Sequence, residues 1–171
     1  MIGLRRPLLG ALLLASGSAL AGGCQQFDTG HGPVDLPGCR LDGGHVVLES
    51  SALGALDYDT DGLAVVLAGD GYHLVTRQGR SLPVPTYDNG PDALQEGRVR
   101  GRVGKRLGFF DARLQPAFAT TFDFAWPYED GRARVCNGCR PGPPDDSGDG
   151  HVPVVGGEWF WIDRQGQRLP D

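Results

Sequence analysis

Runs of alternating apolar and polar residues, each opened by a glycine, are the main pattern of this chain. Residues 62–66, 97–100 and 131–135 begin with Gly, and in the last two runs Arg alternates with Val or Ala. Successive side chains of a strand point to opposite faces. Such runs therefore predict half-buried strands with Arg on the solvent side.

The glycines that open these strands are regularly spaced, which indicates an internal repeat. Gly62, Gly97 and Gly131 stand 35 and 34 residues apart. A period of this length is typical of an array in which each repeat is one supersecondary unit.

A second marker follows the same period. Three apolar or aromatic runs end at Thr76, Asp111 and Asp163, which are 35 and 52 residues apart. Since 52 is 35 plus 17, the last interval holds one repeat and an insertion at about 136–153. A Gly stands three residues after Thr76 and after Asp163, where a tight hairpin needs a positive φ. Each marker therefore predicts a hairpin.

Taken together, the markers resemble the WG-repeat family. Its bacterial members repeat a pattern close to Gly-x-Trp-Gly-Tyr-Ile-Asp-x-x-Gly, followed by Pro, Tyr-Asp and Glu-Gly-Leu-Ala-x-Val. The resemblance is carried by residues 158–166 (Glu-Trp-Phe-Trp-Ile-Asp-Arg-Gln-Gly) and 106–111 (Arg-Leu-Gly-Phe-Phe-Asp), and it extends over the chain from about Asp57. It implies an all-β repeat array in an envelope or exported protein that mediates interactions, and it implies no catalytic residues.

The expected fold is all-β, an array of antiparallel β-hairpin repeats with a period of about 35 residues, its ends and insertion pinned by disulfides. The expected organisation is a signal peptide at 1–21, an N-terminal segment without a clear pattern at 22–56, and a WG-like β-repeat domain at 57–171.

The first residues predict a leader. Residues 1–6 are basic, and residues 7–21 form an apolar run too short to cross a bilayer comfortably. Cleavage after Ala21 gives a protein of the periplasm or the cell exterior, whereas a lipoprotein-type site at 21–24 anchors it through Cys24. The even number of cysteines left after Ala21 favours the first alternative.

Composition narrows the class of protein. Gly (28) and Pro (13) are too frequent among 171 residues for a helical bundle or a coiled coil. The formal net charge of −5 disfavours a nucleic-acid partner. No second apolar stretch is long enough for a transmembrane helix, and we expect a monomer.

The four cysteines are expected to form two disulfides, Cys24 with Cys39, and Cys136 with Cys139 at the neck of the insertion. The Cys136-Asn-Gly-Cys139 spacing also occurs in thioredoxin-like redox sites and zinc knuckles. A redox site needs its first Cys at a helix N-terminus, and the proline-rich residues 140–144 do not propagate a helix. Zinc needs two further ligands, and the remaining candidates are irregularly spaced.

Two acidic turns, residues 57–62 and 145–150, imitate calcium loops. Both place oxygen ligands at positions 1, 3 and 5 and Gly at position 6. The bidentate Glu of position 12 is replaced by Ala68 in one and Gly156 in the other. We interpret both as ordinary turns and expect no metal or cofactor, with calcium stabilisation as an alternative.

Arginines on the predicted strands are the candidate binding residues. They alternate at Arg98, Arg100 and Arg102 and recur one repeat later at Arg132 and Arg134. They form either a solvated strand face or a basic stripe for an anionic partner, an envelope polysaccharide or an acidic protein.

Motifs for catalysis are missing from the sequence. It contains no nucleophile elbow, phosphate-binding Gly loop or dinucleotide fingerprint. The expected function is therefore an exported envelope interaction module without catalytic residues. The alternatives are a thiol-disulfide oxidoreductase that uses Cys136 and Cys139, and a calcium-stabilised envelope binding protein. The aromatic residues are expected mainly in the core, and any that stay exposed on one face form a ligand platform.

Overall fold

A computed structural model describes residues 23–28, 32–69, 71–87, 90–144 and 152–170. The predicted leader at 1–21 and the acidic turn at 145–150 lie outside these residues. The elements are β1 (Cys24–Asp28), β2 (Gly32–Leu36), β3 (Cys39–Asp42), β4 (His45–Leu48), α1 (Ser50–Ala55), β5 (Leu63–Ala68), β6 (Gly71–Thr76), β7 (Ser81–Val84), β8 (Thr86–Tyr87), β9 (Gly90–Pro91), β10 (Val99–Val103), β11 (Arg106–Phe110), β12 (Phe124–Ala125), β13 (Arg132–Pro141) and β14 (Val154–Asp163).

The predicted all-β class is confirmed, since the described chain is mostly strand and holds one short helix. Its strands pair antiparallel, in a five-stranded sheet of order β2-β1-β5-β6-β7 and a three-stranded sheet of order β12-β13-β14. Three two-stranded sheets, β3-β4, β8-β9 and β10-β11, complete the fold. Within the described residues no helix has the length and apolar character needed to cross a membrane.

The N-terminal segment pairs through β1 with β5, the first strand that the sequence pattern predicts. Strand β1 lies between β2 and β5, so that Cys24 stands opposite both Leu36 and Ala68. The predicted Cys24–Cys39 disulfide is present and ties β1 to β3. The strands of this segment are only four or five residues long, and they are therefore too short to show a clear period.

Four turns share one hydrogen-bond pattern. The N–H of the first residue donates to the carbonyl oxygen four positions later (2.8–2.9 Å), and its side-chain oxygen accepts from the N–H of that later residue (2.8–3.2 Å). The first residues are Asp59, Thr76, Asp111 and Asp163. A short polar side chain that mimics a backbone acceptor stabilises such a turn. Turns are thus present at all three predicted markers, and Asp59 adds a fourth.

The fourth residue of each turn has a positive φ. It is Gly in three of the turns, and in the turn that Asp111 opens it is Leu114, with a φ of 55°. A second, tighter turn occurs at 95–98 and again at 129–132, where the two end residues exchange both backbone hydrogen bonds. These two tight turns are 34 positions apart and stand directly before β10 and at the start of β13.

The predicted insertion extends a long hairpin. Strands β13 and β14 pair from Arg132 opposite Asp163 to Pro141 opposite Val154, and the N–H of Gly142 donates to the carbonyl oxygen of Pro153 (2.7 Å). Backbone pairing therefore closes the neck. The Cys136–Cys139 disulfide joins two residues of the same strand, so the predicted role of this bond as the neck closure is wrong.

The three-stranded sheet covers one of three apolar clusters. Ala125, Ala133, Val135 and Ile162 point into this cluster and are at most 1% exposed. They pack with the aromatic side chains Phe109, Phe122 and Tyr128. Because this face is filled, the alternate residues of β12, β13 and β14 must point outward.

Candidate functional site

The outward face of the three-stranded sheet carries all three tryptophans of the chain. Trp126 follows β12, and Trp159 and Trp161 lie two positions apart on β14. Between them β13 presents Arg132 and Arg134, with Arg134 directly opposite Trp161. The N–H of Trp126 donates to the carbonyl oxygen of Arg134 (2.9 Å), which fixes the row Trp126, Arg134, Trp161 across the three strands. We call this surface the tryptophan–arginine face and count with it the neighbouring Phe124.

The side chains of this face are stacked on one another. The guanidinium carbon of Arg132 lies 4.4 Å from the ring centroid of Trp161, and that of Arg134 lies 5.0 Å from Trp159. The Phe124 ring lies 5.2 Å from Trp126 and 5.9 Å from Trp159, centroid to centroid. Cation–π and aromatic contacts of this kind hold the guanidinium groups in place while their edges remain available as donors.

Two clefts flank the central row. One, of about 420 Å³, is lined by Trp126, Tyr128, Arg134 and Trp161 among others. The other cleft, of about 820 Å³, is bounded by Trp126, Arg134, Trp159 and residues 152–154. Trp126 and Arg134 thus form the wall between the two clefts. Trp126 is 44% exposed and Trp161 is 37% exposed, so the rings are open to solvent.

Tyr128 marks the floor of the smaller cleft. Its hydroxyl donates to the carbonyl oxygen of Asp163 (2.7 Å), and burial, opposed by Arg98, raises the pKa of Tyr128 to about 12. The phenol therefore stays protonated at physiological pH and anchors β14, which is a structural role.

Neither Arg132 nor Arg134 makes an ion pair with a described carboxylate, and both side chains are exposed. Two guanidinium groups held on tryptophan rings can bind a carboxylate, phosphate or sulfate group through paired hydrogen bonds.

Arg100 does not belong to any exposed stripe, and its prediction as an anion-binding residue is corrected. Its side chain is 3% exposed and forms an ion pair with Asp92, which is 2% exposed (Nε to Oδ2, 2.7 Å). Strand β10 is buried on both faces at this point, so the alternation of Arg and Val did not indicate a solvent side.

Arg98, which directly precedes β10, and Arg102 on β10 do not share a sheet with Arg132 and Arg134. In the described chain β10 pairs only with β11, so Arg98 and Arg102 do not stand on a strand next to β13. Arg98 is half-buried and donates from Nη1 to the carbonyl oxygen of Gly97 (3.0 Å), and Arg102 is exposed. The predicted stripe across neighbouring strands therefore reduces to Arg132 and Arg134.

The Cys136-x-x-Cys139 sequence lies in the middle of β13 and not at a helix N-terminus. Its two cysteines are bonded to each other, and Cys136 is 0% exposed. Reactive thiolates need access to solvent, and Cys136 is buried in this strand.

The first acidic turn uses its central carboxylate internally. Asp59 Oδ1 accepts from the N–H groups of Asp61 (3.0 Å) and Leu63 (2.8 Å). In the described part of the chain no group of three His, Cys, Asp or Glu side chains is placed to hold a metal ion. Of the histidines, His73 is buried, its Nδ1 has no hydrogen-bond partner among the described residues, and burial lowers its pKa, as does the nearby His45.

The sequence predicts the tryptophans mainly in the core, although one signal indicates an outward position. In β14 the residues that alternate with Trp159 and Trp161 are Phe160 and Ile162, which supply the apolar face of a strand. Period two then puts both tryptophans on the other side. Trp126 carried no such signal, because β12 is only two residues long.

Comparisons with known proteins add no further assignment, since no family model, no curated protein and no solved structure matches the chain.

Proposed function

We propose that this chain is an exported interaction module of the cell envelope whose contact surface is the tryptophan–arginine face. The observation that carries the proposal is the position of all three tryptophans on one solvent-facing sheet surface, together with two arginines that form no ion pair with a described carboxylate. Exposed aromatic and arginine side chains concentrate binding energy at interfaces. A purely structural tryptophan would be expected on the inner face of the sheet, which Ala125, Ala133 and Ile162 fill.

We also propose that the domain from residue 57 onward is an array of WG-like hairpin repeats. The recurring turns at Thr76, Asp111 and Asp163, and the tight turns 34 positions apart, support this proposal. In such arrays each unit contacts its neighbours and the chain presents an extended surface, which suits a binding role. Residues 1–21 would direct export and then be removed, leaving Cys24 for its disulfide.

The test is capture of envelope components by the immobilised protein. A double variant, Arg132→Ser with Arg134→Ser, should lose most of the salt-sensitive capture while its melting temperature stays close to that of the wild type. The matched control, Arg102→Ser with Arg113→Ser, removes the same charge from exposed positions away from the face and should capture as the wild type does. Equal capture by both double variants and the wild type would contradict the proposal.

A further inference from the structure

We propose that the tryptophan–arginine face binds an acidic polysaccharide, a polymer of sugar rings that carry carboxylate groups. The inference rests on the proposed function and names the ligand class of the same surface. Three properties of the face support it: the hydrogen bonding of the sheet edges, the exposure of the indole rings, and the placement of the arginines between them.

The backbone beside the rings is already hydrogen-bonded. The N–H of Leu169 donates to the carbonyl oxygen of Trp161 (2.9 Å), and Arg168 forms an isolated β-bridge with Ile162. On the β12 side, Arg100 donates from Nη1 to the carbonyl oxygen of Ala125 (2.7 Å). An extended peptide that binds by adding a strand needs free edge groups. At these positions the strand edges are occupied, so a ligand that covers Trp126 and Trp161 is recognised there through side chains.

The side chains that this face presents to a ligand include the exposed indole rings of Trp126 and Trp161. Trp126 directly follows β12 and bonds to Arg134, and Trp161 lies on β14 opposite the same arginine, so their backbones are two strand spacings apart, about 9–10 Å. The face of an indole ring is electron-rich and attracts the slightly positive C–H groups that line one side of a sugar ring. Two exposed rings at this separation suit alternate sugar rings of an extended chain, because each sugar unit advances such a chain by about half this distance.

The arginines supply the second half of the recognition. Arg134 lies in the row between Trp126 and Trp161 and borders both clefts, and Arg132 is stacked on Trp161. A sugar stacked on one of these rings would bring its carboxylate within reach of a guanidinium edge. Both guanidinium groups are exposed, so they give an anionic chain a local positive site on a protein whose formal net charge is −5.

Three probes, compared by titration calorimetry, separate the contribution of the ligand's sugar rings from that of its carboxylate charges. Alginate oligomers present both, dextran of equal length presents rings without charge, and poly-L-glutamate of equal charge presents carboxylates without rings. We expect alginate to bind at least about tenfold more tightly than either of the others. Trp126→Ala and Arg134→Gln should each weaken alginate binding about tenfold or more, and the control Arg113→Gln should leave it unchanged.

Each outcome is decisive for the ligand class. If poly-L-glutamate or dextran bound as tightly as alginate, the inference would be overturned, because carboxylates alone or sugar rings alone would then suffice. Absence of alginate binding would overturn it as well. The capture experiment with envelope extract tests the proposed function separately. If alginate does not bind but the double variant Arg132→Ser with Arg134→Ser loses capture, the proposed function is retained and the ligand belongs to another class.

Since Trp126 and Arg134 are exposed, their variants are expected to fold. Urea unfolding of each variant checks this, and Trp126→Phe provides a ring-retaining substitution. The phenyl variant should recover part of the alginate affinity that the Ala variant loses. If Phe and Ala at this position weaken binding equally, ring stacking at Trp126 is excluded and the inference fails.

Discussion

Asp92 and Arg100 form a two-pronged ion pair in the protein interior, with Nε to Oδ2 at 2.7 Å and Nη2 to Oδ1 at 3.1 Å. The backbone N–H of Arg100 also donates to Oδ2 of Asp92 (3.2 Å). The remaining end of the guanidinium donates to the carbonyl oxygen of Ala125, which connects β10 to β12. These bonds therefore connect β10 to the sheet that bears the tryptophan–arginine face.

Removing the Asp92 carboxylate takes this ion pair away from the buried guanidinium of Arg100. Asp92→Asn should lower the free energy of unfolding by about 3–5 kcal/mol, measured by urea denaturation. The double variant Asp92→Leu with Arg100→Met removes both charges and should recover much of that loss. A destabilisation by Asp92→Asn as small as that of an exposed pair, below about 1 kcal/mol, would show that the two side chains are hydrated in solution.

The disulfide between Cys24 and Cys39 closes a short loop at the start of the described fold. The two residues are 15 apart in sequence, and a loop of this length predicts a stabilisation of about 3 kcal/mol through the unfolded chain. Cys24→Ser with Cys39→Ser should lose about this amount. Intact mass of the exported protein is the companion measurement. A lipid attached to Cys24 would exclude this disulfide and so would contradict the proposed cleavage after residue 21.

His73 predicts how stability depends on pH. Burial lowers its pKa in the folded state below the ordinary value of 6.5, and His45 lowers it further. The unfolded chain therefore takes up the proton first. The free energy of unfolding should fall as the pH falls from above 6.5 towards the folded-state pKa.

The matched variant is His73→Gln, which stays neutral over the same range. Wild type should lose more stability between pH 7.5 and pH 5.5 than this variant does, as read from urea midpoints. An identical loss in the two proteins would mean that other groups cause the acid sensitivity.

The carboxylate of Asp163 stabilises the turn after β14. Its Oδ1 accepts from the N–H groups of Gln165 (2.9 Å) and Gln167 (2.8 Å). Asp163→Ala leaves both N–H groups without this acceptor and should cost about 1–2 kcal/mol in thermal or urea unfolding. Asp163→Asn keeps an oxygen in the same place and should cost less than half as much. Equal effects of Ala and Asn would argue against the side-chain acceptor as the stabilising group.

The sequence predicted the hairpin turns well because their chemistry is local. A short oxygen-bearing side chain such as Asp111, or a glycine that takes a positive φ such as Gly79, determines a turn within five residues. Leu114 shows the limit of this rule. It occupies the glycine position of its turn with a φ of 55°, while its side chain is buried with Phe110 and Leu82.

The sequence did not predict which arginines reach solvent, because that depends on partners distant in the chain. Arg100 and Arg134 occupy equivalent places in the repeat pattern, 34 positions apart. Asp92 and the carbonyl of Ala125 bury the first, whereas the second lies on an uncovered sheet and stacks on Trp159. The outward position of Trp126 likewise follows from its place opposite Arg134, a contact that no local pattern encodes.

Intrinsic tryptophan fluorescence reports on binding at the tryptophan–arginine face, because Trp126, Trp159 and Trp161 are the only tryptophans and all lie on this face. Acrylamide quenching of the wild-type protein is measured alone and with saturating ligand, using alginate oligomers or the captured envelope fraction. Binding at the face should cover the exposed rings of Trp126 and Trp161 and reduce the quenching constant by about half. Unchanged quenching under conditions where calorimetry shows the ligand fully bound would place the binding surface elsewhere on the protein.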